Sequence, residues 1–126
     1  MRPATRILLV EDEPQLAQNI ASFLERDFAE VRLARNGGRA LEMLKWFSPQ
    51  MAVLDYGLPG MNGAELYRAL KEASPRPLPC VMITGYPPER LAPEAALEGV
   101  AHVLAKPFSL ETLVRLIRAW SESDAT

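Results

Sequence analysis

The sequence predicts an α/β fold: a doubly wound, five-stranded parallel sheet in the order 2-1-3-4-5, with five helices on its two faces. Three observations carry this. Short, continuously apolar runs at Ile7-Leu8-Leu9-Val10, Met51-Ala52-Val53-Leu54 and Cys80-Val81-Met82-Ile83 have the length of strands buried on both faces. Turn residues close these runs, and stretches of helical periodicity lie between them. No internal repeat or second apolar pattern breaks the alternation. The 126 residues therefore read as one domain, residues 1–126, with a core of about 6–120 and a tail or linker start at 121–126.

In chain order, the first strand, Ile7 to Val10, ends on Glu11-Asp12-Glu13. Pro14 suits the first turn of a helix, and Leu16, Ile20, Phe23 and Leu24 recur at helical spacing through Arg26. Glu30 to Ala34 alternates weakly, as a short edge strand does. Asn36 caps a second helix carrying Leu41, Met43, Leu44 and Phe47, closed by Ser48-Pro49. The central strand, Met51 to Leu54, ends on Asp55, and Gly57, Pro59 and Gly60 exclude regular structure behind it. Asn62 caps a third helix whose inner face is read as Leu66, Ala69, Leu70 and Ala73. Pro75, Pro77 and Pro79 make an extended connector to the fourth strand, Cys80 to Thr84. Gly85 to Pro88 is loop, and Pro93 to Leu97 leaves room for only a short fourth helix. His102 to Ala105 is a short fifth strand, followed by Lys106-Pro107-Phe108. Ser109 then caps a last helix to about Trp120, and Ser121 to Thr126 is expected to be polar and frayed.

Composition narrows the function. Nearly half the residues are apolar (48%) and 24% are charged, the profile of a soluble globular protein. A net charge of −2 offers no footprint for nucleic acid or an anionic membrane. The first apolar run is too short for a signal peptide or a membrane span. The single cysteine, Cys80, cannot form an internal disulfide. It reads as a small core residue in a reducing compartment, so a cytoplasmic location is expected.

The predicted topology brings the carboxyl ends of strands one, three, four and five to one edge, where open α/β sheets place their ligands. They deliver Glu11 and Asp12, Asp55, Thr84, and Lys106. Singly, each has a bland explanation: helix-start acids, a turn-forming aspartate, a strand-end threonine, a solvated lysine. Their convergence outweighs these. Three clustered acids repel by several kcal/mol per pair at an effective dielectric of about 20. Either one is protonated or a cation holds them ionised, and carboxylates with an open face suit Mg²⁺. A lysine and a threonine at the rim are the parts needed to hold a phosphoryl group, with Asp55 as the nucleophile that forms an acyl phosphate.

The chain resembles the receiver domain of bacterial two-component response regulators, which has a flavodoxin-like fold, from Arg6 to Trp120. The resemblance rests on Ile7-Leu8-Leu9-Val10-Glu11-Asp12-Glu13-Pro14, Leu54-Asp55-Tyr56-Gly57-Leu58-Pro59-Gly60-Met61-Asn62-Gly63, Ile83-Thr84-Gly85 and Lys106-Pro107-Phe108, with their spacings. It implies that Asp55 is the phosphoacceptor. It implies that Asp12, Asp55 and the Gly57 carbonyl bind Mg²⁺ directly, with Glu11 acting through water. Thr84 and Lys106 would contact the phosphoryl oxygens. It also implies a donor, the phosphohistidine of a sensor histidine kinase or phosphotransfer protein. The chain would assist its own phosphorylation and dephosphorylation without a separate substrate. A downstream effector, or a second copy in a homodimer, would meet the face from the fourth to the fifth helix, where Leu116 and Trp120 edge the apolar stripe.

The sequence departs from the family in a few places. Glu11 stands where many members carry aspartate. Val103 replaces an aromatic ring that turns inward on activation, and His102 beside it is read as a surface residue. Val103 and Pro93 are the warrant for an alternative, a degenerate receiver that binds partners without phosphorylation; the intact acids, Thr84 and Lys106 oppose it. A flavin binder would need a hydroxyl- and glycine-rich loop where Glu11-Asp12-Glu13 stands. A phosphatase with an aspartyl nucleophile commonly carries a second acid where this chain has Gly57.

Overall fold

The computed structural model describes residues 5–28, 30–85 and 99–124. Strands β1 (Arg6–Val10), β2 (Glu30–Ala34), β3 (Met51–Asp55), β4 (Cys80–Thr84) and β5 (Val100–Ala105) form one parallel sheet in the order β2-β1-β3-β4-β5. Among the described residues there are four helices: α1 (Pro14–Leu24), α2 (Gly37–Met43), α3 (Gly63–Ala73) and α4 (Leu110–Asp124). The short helix expected at 93–97 lies outside the described residues.

Alternation along the strands divides the core into two layers. Leu8, Val10, Ala52, Leu54 and Met82 face one way, against Ala40 and Met43 of α2 and Leu66, Tyr67 and Leu70 of α3. Ile7, Leu9, Met51, Val53, Val81 and Ile83 face the other way, against Ile20 and Leu24 of α1 and Leu113 and Ile117 of α4. Every residue of β3 and β4 is buried, which is why those runs show no polar alternation. Helices cover both faces, and among the described residues the strands β1, β3, β4 and β5 run into loops or turns at the carboxyl edge.

Three local readings are corrected. The inner face of α3 is Ala64, Leu66, Tyr67 and Leu70; Ala69 is half-buried and Ala73 exposed. Tyr67 is fully buried because its hydroxyl donates to the Leu78 carbonyl at 2.6 Å, satisfying the one polar atom that burial would strand. β5 begins at Val100, two residues early. Gly99, at φ +102°, turns the chain and accepts from the Cys80 N–H at 2.9 Å, so pairing starts before the apolar run does. α4 continues to Asp124 instead of fraying at Ser121, a stretch without the glycine or proline that would stop it. Its start is as expected: Ser109 Oγ accepts from the Thr112 N–H at 3.0 Å.

Candidate metal and phosphoacceptor site

Register sets the site. Val10 pairs with Leu54, so Glu11, next in line, stands beside Asp55 at the end of β3. The Glu11 N–H donates to the Ala34 carbonyl at 3.2 Å, carrying the β1–β2 ladder one residue further. Its side chain is fully buried, Asp55 is 4% exposed, and Asp12 is exposed at the rim. The Tyr56 N–H donates to the Ile83 carbonyl at 2.7 Å, which ties the residue after Asp55 to β4. Thr84 is buried at the end of β4, and its carbonyl accepts from the Lys106 N–H at 2.7 Å. The next peptide bond, Lys106–Pro107, is cis.

These anchors bring all of the expected side chains to one edge. One carboxylate oxygen each from Glu11, Asp12 and Asp55 can be chosen so that the three lie within 4.8 Å of one another. Lys106 Nζ lies 3.4 Å from Asp55 Oδ2 and 3.4 Å from Glu11 Oε1. Gly57 N–H donates to Asp55 Oδ1 at 3.2 Å, and Glu13 N–H donates to Glu11 Oε2 at 3.1 Å. Sequence reasoning missed both backbone donors. The signal was the spacing, an acid followed two residues later by a free N–H in a turn.

Burial pushes the Glu11 carboxyl up, from 4.5 to about 7; the Glu13 N–H opposes this, the Asp55 charge adds to it, and Lys106 opposes it. Burial alone would lower the Lys106 ammonium, but the charges of Asp55 and Glu11 outweigh it and raise its pKa. Burial also pushes up the Cys80 thiol, which is inert core, as its place in an apolar run implied. Glu11 Oε1 is buried and makes no hydrogen bond, although the Lys106 ammonium lies nearby. A buried carboxylate oxygen that has an ion pair but no hydrogen bond, set among other carboxylates, suits a hard-cation site.

Val103 is half-buried, pairs with Met82 and packs against the core layer holding Leu54 and Tyr67. His102 is exposed on β5, where it pairs with Val81, in keeping with a surface role. A groove of about 870 Å³ among Gln50, Tyr67, Pro77, Gly99 and Trp120 contains none of the acids, Thr84 or Lys106.

Comparison with known proteins agrees with this geometry. Residues 7–118 match the family described as the response regulator receiver domain. Protein PilH of Pseudomonas aeruginosa is 30% identical over 115 residues, covering 90% of this chain and 95% of PilH. The phosphate regulon transcriptional regulatory protein PhoB of Klebsiella pneumoniae is 33% identical over 117 residues, 92% of this chain but 51% of PhoB. The chain therefore spans nearly all of one such relative and about half of another. A CheY-like receiver domain protein from Methanospirillum hungatei superposes with a TM-score of 0.86 at 25% identity, over 96% of both chains. The chain belongs to the receiver domain family of two-component response regulators, and so to phosphorelay signal transduction.

Proposed function

We propose that Asp55 accepts a phosphoryl group from the phosphohistidine of a sensor histidine kinase or phosphotransfer protein. The observation that carries this reading is the placement of Asp55: a nearly buried carboxylate ending the central strand, 3.4 Å from the Lys106 ammonium. In the transfer, an Asp55 carboxylate oxygen bonds to phosphorus while the bond from phosphorus to the donor imidazole nitrogen breaks. The electron pair leaves with the imidazole, and the product is an acyl phosphate. Gly57 N–H holds one Asp55 oxygen and so aims the carboxylate. Lys106 would neutralise charge on the phosphoryl oxygens, and Thr84, at the end of β4, would donate its hydroxyl to one of them.

Asp12 and Asp55, with the Gly57 carbonyl, would hold Mg²⁺ directly, and Glu11 would act through water. The ion supplies neutralisation of the acids and of the transferring group. The supporting features are the three-carboxylate cluster and the buried Glu11 oxygen that makes no hydrogen bond. Phosphorylation would then bias the chain toward a state read by a downstream effector or a second copy at the edge of α4, where Leu116 and Trp120 are both half-buried. Val103 is too short to supply the packing of an inward-turning ring, so the rearrangement around β5 should be small. No helix among the described residues is long and apolar enough to cross a membrane, which suits a partner met in the cytoplasm.

The test is incubation with acetyl phosphate and Mg²⁺. One phosphoryl group should be added, labile in mild base, and Asp55→Asn should abolish it. Equal labelling of Asp55→Asn would refute the assignment.

A further inference from the structure

The loop after Asp55 must present Gly57 to the cation, yet few bonds hold it. At its start the Tyr56 N–H is tied to Ile83, and at its end the Gly63 N–H donates to the Tyr56 carbonyl at 2.7 Å. Between these pins, among the described residues, Gly57 N–H donates to the Asp55 side chain and Asn62 N–H to the Glu65 side chain. Gly60, at φ +83°, reverses the chain between Leu58 and Met61. Leu58 is buried and Met61 half-buried, and both pack into the core layer shared by α2 and α3.

Met61 has a specific seat. A β-carbon at Gly37, the first residue of α2, would stand 3.0 Å from Met61 Sδ and 3.4 Å from its Cγ. The same β-carbon would come within 3.3 Å of Leu66 Cδ1 on α3. The absent side chain at Gly37 is therefore the space that the Met61 thioether fills. A β-carbon at Gly57 would stand 4.0 Å from Asp55 Oδ1, and the loop that carries Gly57 is held to the core by the side chains of Leu58 and Met61.

We propose that Met61, seated on Gly37, is a positioning residue for the cation: it fixes the loop that carries Gly57 and couples α2 to the metal site. The inference rests on the assignment of the Gly57 carbonyl as a Mg²⁺ ligand. It concerns a side chain that touches neither cation nor phosphoryl group. Outer partners of metal ligands act in this way, and their loss typically costs about 10- to 100-fold in metal affinity. Met61 lies a few residues from Gly57, so the lower end, about tenfold, is expected.

The experiment measures Mg²⁺ affinity by calorimetric titration of the purified chain, with the melting temperature recorded for each variant. Met61→Ala should weaken Mg²⁺ binding about tenfold, and Met61→Leu, which refills the seat, should restore most of it. Gly37→Ala, which crowds the seat from the other side, should also weaken binding. Combining Gly37→Ala with Met61→Ala should recover part of the loss, because the shorter side chain makes room for the methyl. If Met61→Ala melts lower but binds Mg²⁺ as the unsubstituted chain does, Met61 is only a core residue and the inference is wrong. Unchanged affinity in both single variants would overturn it equally. If the unsubstituted chain itself binds no Mg²⁺, the proposed metal site fails, and this inference with it.

Discussion

At the scale of single residues, the site holds more negative charge than its one lysine can balance. Glu11 bears most of the cost because it is the most deeply buried of the three acids. Its carboxyl is raised from 4.5 to about 7, first by burial and then by Asp55. The sign follows: between those two values the folded chain keeps a proton that the unfolded chain has released. Stability is therefore highest below about 4.5 as far as this group is concerned, and falls as pH rises towards 7. A gap of this size corresponds to roughly 3 kcal/mol at alkaline pH. The metal-free chain should thus melt at a higher temperature at pH 6 than at pH 8, and Glu11→Gln should flatten the profile. Thermal melts of both proteins across that range decide it; an equally steep decline in Glu11→Gln would place the titration elsewhere.

At the scale of elements, α3 shows how tightly the acceptor strand and its following helix are joined. A β-carbon on Gly63 would lie 2.7 Å from the Asp55 carbonyl oxygen and 2.8 Å from Tyr56 Cα, both backbone atoms that cannot rotate away. Gly63→Ala should therefore destabilise the fold by about 1 to 3 kcal/mol, as overpacking does. Asn62→Ala, which removes one half of the capping box with Glu65, should cost about 1 kcal/mol. Denaturant unfolding of the two variants separates them; a Gly63→Ala chain as stable as Asn62→Ala or more so would contradict the close approach. These elements were legible in the sequence to different degrees. The strand runs were plain because burial on both faces removes every polar residue from them, and the caps Asn36, Asn62 and Ser109 were plain because their side chains bond locally. The inner face of α3 was not. Leu66 and Leu70 fit a stripe on either side of their common axis, and only contact with Leu78, a long-range event, selects Tyr67 over Ala73. The start of β5 was hidden for a similar reason: its pairing is set by the Gly99 turn and not by its own half-exposed residues. The acids, Thr84 and Lys106 were legible because each directly ends or follows a strand. The backbone donors at Glu13 and Gly57, and the Met61 seat, were not, because they depend on how the loops fold over.

At the scale of the whole molecule, the doubly wound arrangement buries both faces of the sheet and gathers the acids at its carboxyl edge. The cation proposed for these acids would sit at the edge of the sheet, outside both core layers, and its binding energy would add to that of the fold. By linkage, Mg²⁺ at about 100 times its dissociation constant should stabilise the chain by about 2.7 kcal/mol. For a domain of this size that is a rise in melting temperature on the order of 10 °C. Asp12→Ala separates the two roles of the acid cluster. It removes the exposed carboxylate proposed as a ligand, so Mg²⁺ should no longer raise the melting temperature appreciably. It also removes one of three mutually repelling charges, so the metal-free variant should melt at or slightly above the metal-free parent. Glu13→Ala is the control: Glu13 contributes its backbone N–H to Glu11 but no carboxylate to the cluster, so its metal response should match the parent. Melting curves of the three proteins with and without Mg²⁺ are the measurement. A full Mg²⁺ response in Asp12→Ala would remove Asp12 from the site, and a metal-free Asp12→Ala that melts well below the parent would show that repulsion among the acids is not what limits the stability of the fold.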